Sequence, residues 1–347
     1  MSRPPGPPAQ LGSPYGEPTA YPRLLNTPSY AWWRAVVGIL LLLVGVFVLS
    51  GSVLLPVLAV AIWVQSQIEG VAFSGAFRSA TSIDALTPAS MLWLNLVLAS
   101  GTLVAFALVR WLHHVRPRWL TSVRPGLRTR FFLACLGLSV VAMAVQVALI
   151  LVLPGDGDTG SGGGPVNHLG PRSLAFVLVI LLTTPLQAMG EEYVFRGYLM
   201  QAFGSFFRRW DRVSLWGTVL VTSLAFAIAH GSQDAPVFFD RFAFGVLAGY
   251  LVIRIGGLEA GIALHIMNNF FAYGLALLFG DITAVLVPTS GSWWSLPATV
   301  VQSVVYLLLV LLVARRMGVT NRTISAAVEE PSQALPGPPS PIGEPRG

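Results

Sequence analysis

The chain has no lysine, one cysteine and very little charge. Its 347 residues carry 21 basic and 15 acidic side chains, and charged residues make up only 10% of the total. An ordinary soluble domain is about 25% charged, so this scarcity excludes a water-soluble globule. Cys135, alone, can form neither an internal disulfide nor a cysteine-based zinc cluster. The missing lysine makes every base an arginine, a compositional habit from which no mechanism follows. A formal charge of +6 on so apolar a chain argues against a nucleic-acid partner, and the placement of the arginines matters more than their sum. Three catalytic signatures are absent as well: there is no HExxH zinc helix, no G-x-S-x-G elbow and no P-loop.

What is abundant is hydrophobic length, with 54% of residues hydrophobic. About eight runs approach or exceed the roughly 20 residues a membrane span requires. They cover approximately 35–64, 89–110, 131–153, 173–203, 213–230, 236–254, 258–280 and 294–314. Backbone polar groups in hydrocarbon must be satisfied internally, so such spans are helices. The expected fold is an all-α polytopic transmembrane helical bundle. The first run is too long for one straight span and too short for two, and Gly51, Ser52 and Pro56 offer a place to kink it. Residues 1–30 read as a disordered tail rich in proline and glycine, and 318–347 as its C-terminal counterpart. Between them, 31–317 reads as one membrane domain without internal repeats. No secretory signal peptide is apparent; the first run reads as a retained signal anchor, and neither end carries a lipidation motif.

Arginine clusters alternate with mixed or acidic loops. Segment 110–130 holds Arg110, Arg116, Arg118, Arg124, Arg128 and Arg130, while Arg208, Arg209, Arg212, Arg254, Arg315, Arg316 and Arg322 follow later spans. The alternate loops contain Glu69, Arg78, Asp84, Asp156, Asp158, Arg172, Asp234, Asp240, Arg241 and Asp281. This pattern predicts both termini in the cytoplasm. Trp32, Trp33, Trp293 and Trp294 read as interfacial anchors, and Gly162–Gly164 as a flexible outer linker.

Ionisable groups deep in a bilayer are costly and mark function. By this census Glu191 and Glu192 are the acids well inside a span, and His230 and His265 the histidines within one. His113, His114 and His168 read as solvated loop residues. Adjacent carboxylates on a helix point about 100° apart, so the two glutamates cannot share a role. Glu192 and Arg196 are spaced i,i+4 for an intrahelical ion pair, which leaves Glu191 free to face a cavity as a general base. The plainer alternative is that all three glue helices together. His265 and Asn269, also i,i+4, could bind a cation, position a water or donate to an oxyanion, and Asn268 could share that role; interhelical hydrogen bonding is the structural alternative. A lone His230 at a helix end is otherwise a cap. His230 lies roughly 25 Å along its span while His265 is near the opposite end of its own. Tilted or broken helices, helped by Gly231 and Pro236, are therefore required if the two are to share a water-filled site.

The strings EEYVFRGYL (191–199), FAIAH (226–230) and FGVLAGYLVIRIGGLEAGIALHIMNN (244–269) resemble, in order, the EExxxR, FxxxH and HxxxN motifs of the CPBP family. That group includes type II CAAX prenyl endopeptidases and bacteriocin-immunity homologues. The resemblance implies an intramembrane endopeptidase with a catalytic core over about 172–282. It implies that Glu191 and His230 activate a water, that His265 and Asn269 stabilise the oxyanion, and that Glu192 with Arg196 supports the site. A zinc ion held by Glu191, His230 and His265 and a metal-free, glutamate-activated water both suit these residues. The implied partners are membrane lipid and a membrane-associated or lipidated peptide substrate, in a bacterial plasma membrane. Two rivals stand beside this reading: a non-catalytic binding or immunity protein using the same cavity, and a proton-coupled transporter.

Overall fold

The computed structural model describes residues 15, 17–82, 85–153, 166–207, 212–231, 233–280, 282–283 and 291–324. The outer parts of both expected tails, the run Gly162–Gly164 and the loop charges Asp84, Asp156, Asp158, Arg208, Arg209 and Asp281 lie outside the described residues. Among the described residues there is no strand beyond two isolated bridges. The helices are α1 (Trp32–Val53), α2 (Leu55–Glu69), α3 (Phe73–Thr81), α4 (Pro88–Leu112), α5 (Thr129–Val152), α6 (Pro171–Phe206), α7 (Ser214–Ala229), α8 (Ala235–Ile255), α9 (Glu259–Phe279) and α10 (Ser295–Arg316). Seven of them, α1, α4, α5, α6, α8, α9 and α10, are long and apolar enough to cross a membrane. The pair α2 and α3, bent by 119°, makes an eighth if taken as one broken span.

Two spans differ from the sequence expectation. The first apolar run is two helices: Leu54 leaves helical geometry with ψ of 2°, and Pro56 sits in the first turn of α2, where its missing N–H is not needed. The fifth run, α7, is too short to count as a span. At 1.5 Å per residue it covers ~24 Å of a hydrocarbon core ~30 Å thick.

Local chemistry sets the helix starts. Thr87 and Ser90 form a reciprocal capping box on α4, at 3.2 and 3.0 Å. Asp234 caps α8 by accepting from Val237 N at 3.1 Å and also ties down Gly291 N at 2.8 Å. Packing places α6 between α4 and α9, α7 against α8, and α5 against α9 and α10. Lipid supplies no hydrophobic drive between helices, so close packing depends on small residues. Gly190 of α6 is the clearest case, since a Cβ there would lie 2.1 Å from the carbonyl oxygen of Leu98 on α4.

The stretch read as the inner part of a disordered N-terminal tail is packed. Tyr15, Tyr21, Leu24 and Leu25 belong to the main apolar core, and the Tyr21 hydroxyl donates to the Leu120 carbonyl. Thr19 N donates to Thr323 Oγ1 at 2.8 Å and Thr323 N to Thr19 O at 3.0 Å, so the segments before α1 and after α10 clip together at one end of the bundle. Proline-rich composition hid a few well-spaced anchors, and these suffice because the bundle end is already ordered. The loop after α4 joins the same end, where Val123 N donates to Gly256 O at 2.8 Å and Leu258 N to Thr121 O at 3.0 Å. Arg128 locks it with a two-pronged contact to buried Glu259, at 2.8 and 2.6 Å.

Candidate active site

The polar centre is built on α6, which widens to π-helical geometry from Tyr193 to Leu199, directly after the two glutamates. Glu192 is fully buried, and its Oε1 accepts from Arg196 Nη1 at 2.8 Å and pairs with His265 Nδ1 at 3.0 Å. Arg196 is fully buried too, its guanidinium 4.1 Å from the centroid of Phe226 on α7. Gly261 on α9 makes room for this carboxylate, because a Cβ there would come within 2.9 Å of Glu192 Oε2. The acid, the base and the aromatic ring thus form a rigid block joining α6, α7 and α9.

Glu191 points elsewhere, as a 100° turn requires. Its Oε1 accepts from Gln187 Nε2 at 2.6 Å. Its Oε2 has no hydrogen-bond partner and lies 3.6 Å from His265 Nε2. Gln187 Oε1 accepts in turn from Asn269 Nδ2 at 2.9 Å, so one glutamine holds both Glu191 and Asn269. Gln187 was not singled out from sequence. The signal was available, since it precedes Glu191 by one helical turn and therefore shares its face.

His230 ends α7 with Nδ1 at 2.7 Å from the Phe226 carbonyl oxygen, so that nitrogen donates and Nε2 is left with its lone pair. The Phe226 ring carries both histidines, with His230 at 4.6 Å and His265 at 5.9 Å between centroids. The two histidines that straight perpendicular spans would keep apart thus meet on one aromatic ring. Glu191, His265 and Arg241 all act electrostatically on His230. Asn268 faces away and accepts from Gln302 Nε2 on α10 at 2.9 Å, so it neither shares nor replaces the position of Asn269.

Two sequence readings need correction. His113 is not a solvated loop residue: it is buried, with Nε2 2.8 Å from the Tyr198 hydroxyl, and burial aided by Arg34 and His114 pushes its pKa down to about 4. His114 and His168 are exposed. Asp240 and Arg241 are not loop charges, because α8 already starts at Ala235 and carries them more than a turn inside. Arg241 Nη1 donates to Gln233 Oε1 at 2.7 Å, and Gln233 Nε2 to Ala227 O at 2.6 Å, which ties α8 to the end of α7 beside His230. Glu259, the first residue of α9, is fully buried against Arg128.

Among the described residues no three His, Cys, Asp or Glu side chains converge to hold a metal ion. Glu192 is committed to Arg196, and of Glu191, His230 and His265 only Glu191 and His265 form a close pair, whereas a catalytic zinc takes three protein ligands. This arrangement does not fit a three-ligand zinc centre. An apolar groove of about 470 Å³ between α8 and α10, lined by Phe242, Val246, Leu247, Val300 and Val304, lies apart from this chemistry.

Comparison with known proteins points to the same segment. Residues 173–271 match the family described as type II CAAX prenyl endopeptidase Rce1-like. A curated relative, the uncharacterized protein YyaK of Bacillus subtilis (strain 168), is 27% identical over 148 residues, covering 39% of this chain and 47% of the relative. The matched region thus spans about half the length of that relative. No solved structure matches the chain. The three motif strings and all the residues of the polar centre up to Asn269 fall inside the family match. Residues 173–271, set within a helical membrane bundle, are therefore similar to the Rce1-like family.

Proposed function

We propose that the chain is an intramembrane endopeptidase that hydrolyses a peptide bond with a water activated at Glu191. The observation that carries this reading is the buried Glu191 Oε2, without a hydrogen-bond partner and 3.6 Å from His265 Nε2, on the glutamate that no arginine pairs; Glu192 Oε2 also has no hydrogen-bond partner, but that carboxylate is held by Arg196 and His265 through Oε1. A dry bundle gains nothing from such an oxygen, whereas a general base needs one.

In this mechanism Glu191 takes a proton from water as the water oxygen attacks the scissile carbonyl carbon, and returns it to the departing amine. His230, with Nδ1–H given to the Phe226 carbonyl, offers Nε2 to orient the same water. His265, oriented by Glu192, and the second amide hydrogen of Asn269 stabilise the oxyanion, a donor of this kind contributing about 10²–10³ in rate. Glu192 and Arg196 hold the helices in place and touch no reacting atom. Substrates are peptides that reach the site through the membrane, including lipidated ones. The end of the bundle bearing Arg124, Arg128, Arg254, Arg315 and Arg316 faces the cytoplasm of a bacterial plasma membrane, with both chain ends on that side.

The test is mass spectrometry of peptides released in membranes containing wild type or Glu191→Gln at equal expression. New peptide termini present with wild type and missing with the variant support the proposal. Identical peptide profiles, with both proteins folded, would favour a non-catalytic binder.

A further inference from the structure

Outside the Glu191 site, three of the buried polar atoms without partners lie along one seam of the bundle. Among the described residues, Asp240 Oδ1 on α8 and Gln302 Oε1 and Ser303 Oγ on α10 are buried without a hydrogen-bond partner. Other polar side chains join them. Asp240 is within side-chain hydrogen-bonding reach of Thr299. Gln146 of α5 donates to Thr299 Oγ1 at 3.4 Å. Gln302 Nε2 lies 2.9 Å from Asn268 Oδ1 on α9 and 2.8 Å from Met143 Sδ on α5. Thr299, Gln302 and Ser303 occupy i, i+3 and i+4 and so share one face of α10.

The seam has a direction. Thr299 is ~6 Å and Gln302 ~10 Å from the start of α10, while Asn268 stands near the middle of α9. It therefore descends from the end where α8 and α10 begin to mid-depth. There the neighbour of Asn268, Asn269, binds Gln187, which holds Glu191. A buried polar atom left dry is costly, and three along one seam is a penalty that leucine or alanine would have avoided. Polar side chains at membrane depth persist when they pair or line an aqueous passage, and a buried water satisfies about three such groups.

We propose that the seam between α5, α8, α9 and α10 is a water path, lined by Asp240, Thr299, Gln302 and Ser303. It delivers water from the α8/α10 end of the bundle to the Asn269 edge of the site. Only the use of that water rests on the hydrolase reading.

Native methionines provide the probe. Met143 is 6% exposed and touches Gln302, Met91 and Met200 are fully buried among apolar residues, and Met317 is 42% exposed. Radiolytic hydroxyl-radical labelling of the full chain in nanodiscs oxidises methionines that lie beside water. The expected result is Met143 oxidation several-fold faster than that of Met91 and Met200 and approaching that of Met317. Thr299→Val, a near-isosteric change, and Gln302→Leu should each bring Met143 down towards the Met200 rate, and the valine variant serves if the leucine variant does not fold. Wild-type Met143 labelled no faster than Met200 overturns the proposal, and so does fast labelling that survives both substitutions. Cleavage does not enter this readout. A labelled seam in a protein that cuts no peptide would retire the hydrolase and keep the water path; a dry seam in an active protease would do the reverse.

Discussion

Glu191 and Glu192 are chemically identical neighbours made different by what surrounds them. The pairing of Glu192 with Arg196 follows from spacing alone, and the structure adds His265 to it at 3.0 Å. Breaking a buried pair by removing one partner typically costs 3–5 kcal/mol. Arg196→Met should therefore lower the melting temperature in detergent markedly, and a variant as stable as wild type would show that the pair holds nothing. His113 offers a second residue-level test. Folding lowers its pKa to about 4 from an unfolded value near 6.5. Between those values the unfolded chain binds more protons, so stability falls as the pH drops through that window and levels off below it. The loss should amount to roughly 1–3 kcal/mol and flatten in His113→Gln. Equal pH slopes for variant and wild type would contradict a neutral, buried His113. The burial was illegible in sequence because an arginine-rich loop suggests exposure, whereas Tyr198 and the close approach at Gly38 pull this ring inward.

Among the elements, α6 and α7 decide whether a site exists. α6 presses Gly190 against the α4 backbone one residue before Glu191, so the register of the two carboxylates is set by a glycine contact. Gly190→Val would drive methyl groups into the Leu98 carbonyl and should cut the yield of folded protein severely. Normal yield and melting behaviour in that variant would mean the two helices can separate freely. The periodic runs made most helices legible, and the motif strings marked which ones carry the polar centre. Helix lengths were less legible. Apolar composition did not show that α7 is too short to count as a span, nor that its end carries His230 onto the same Phe226 ring as His265. Gln187 and Arg241 were passed over for opposite reasons: a neutral amide drew no notice among charges, and an acid–base neighbour at a helix start looked like a loop.

At the scale of the whole molecule, a bundle held mainly by small-residue contacts and isolated polar links closes at one end. The pre-α1 segment, the α4–α5 loop, the α8–α9 turn and the post-α10 segment interlock there through Tyr21, Val123, Leu258 and Thr323. Tyr21→Ala empties a fully buried aromatic position and should cost about 3–5 kcal/mol in reversible unfolding. A change under about 0.5 kcal/mol, the range of ordinary surface substitutions, would make this segment a passive tail.

The division of labour between the two glutamates is tested most directly by measuring turnover and melting temperature together for Glu191→Gln and Glu192→Gln. This uses purified protein in lipid and a peptide that wild type is found to cleave. A catalytic Glu191 beside a structural Glu192 predicts that Glu191→Gln loses about 10²–10⁴ in rate with its melting temperature nearly unchanged. Glu192→Gln should melt several degrees lower. Cleavage at the wild-type rate in Glu191→Gln would contradict the assignment of the base and, with it, the proposed mechanism.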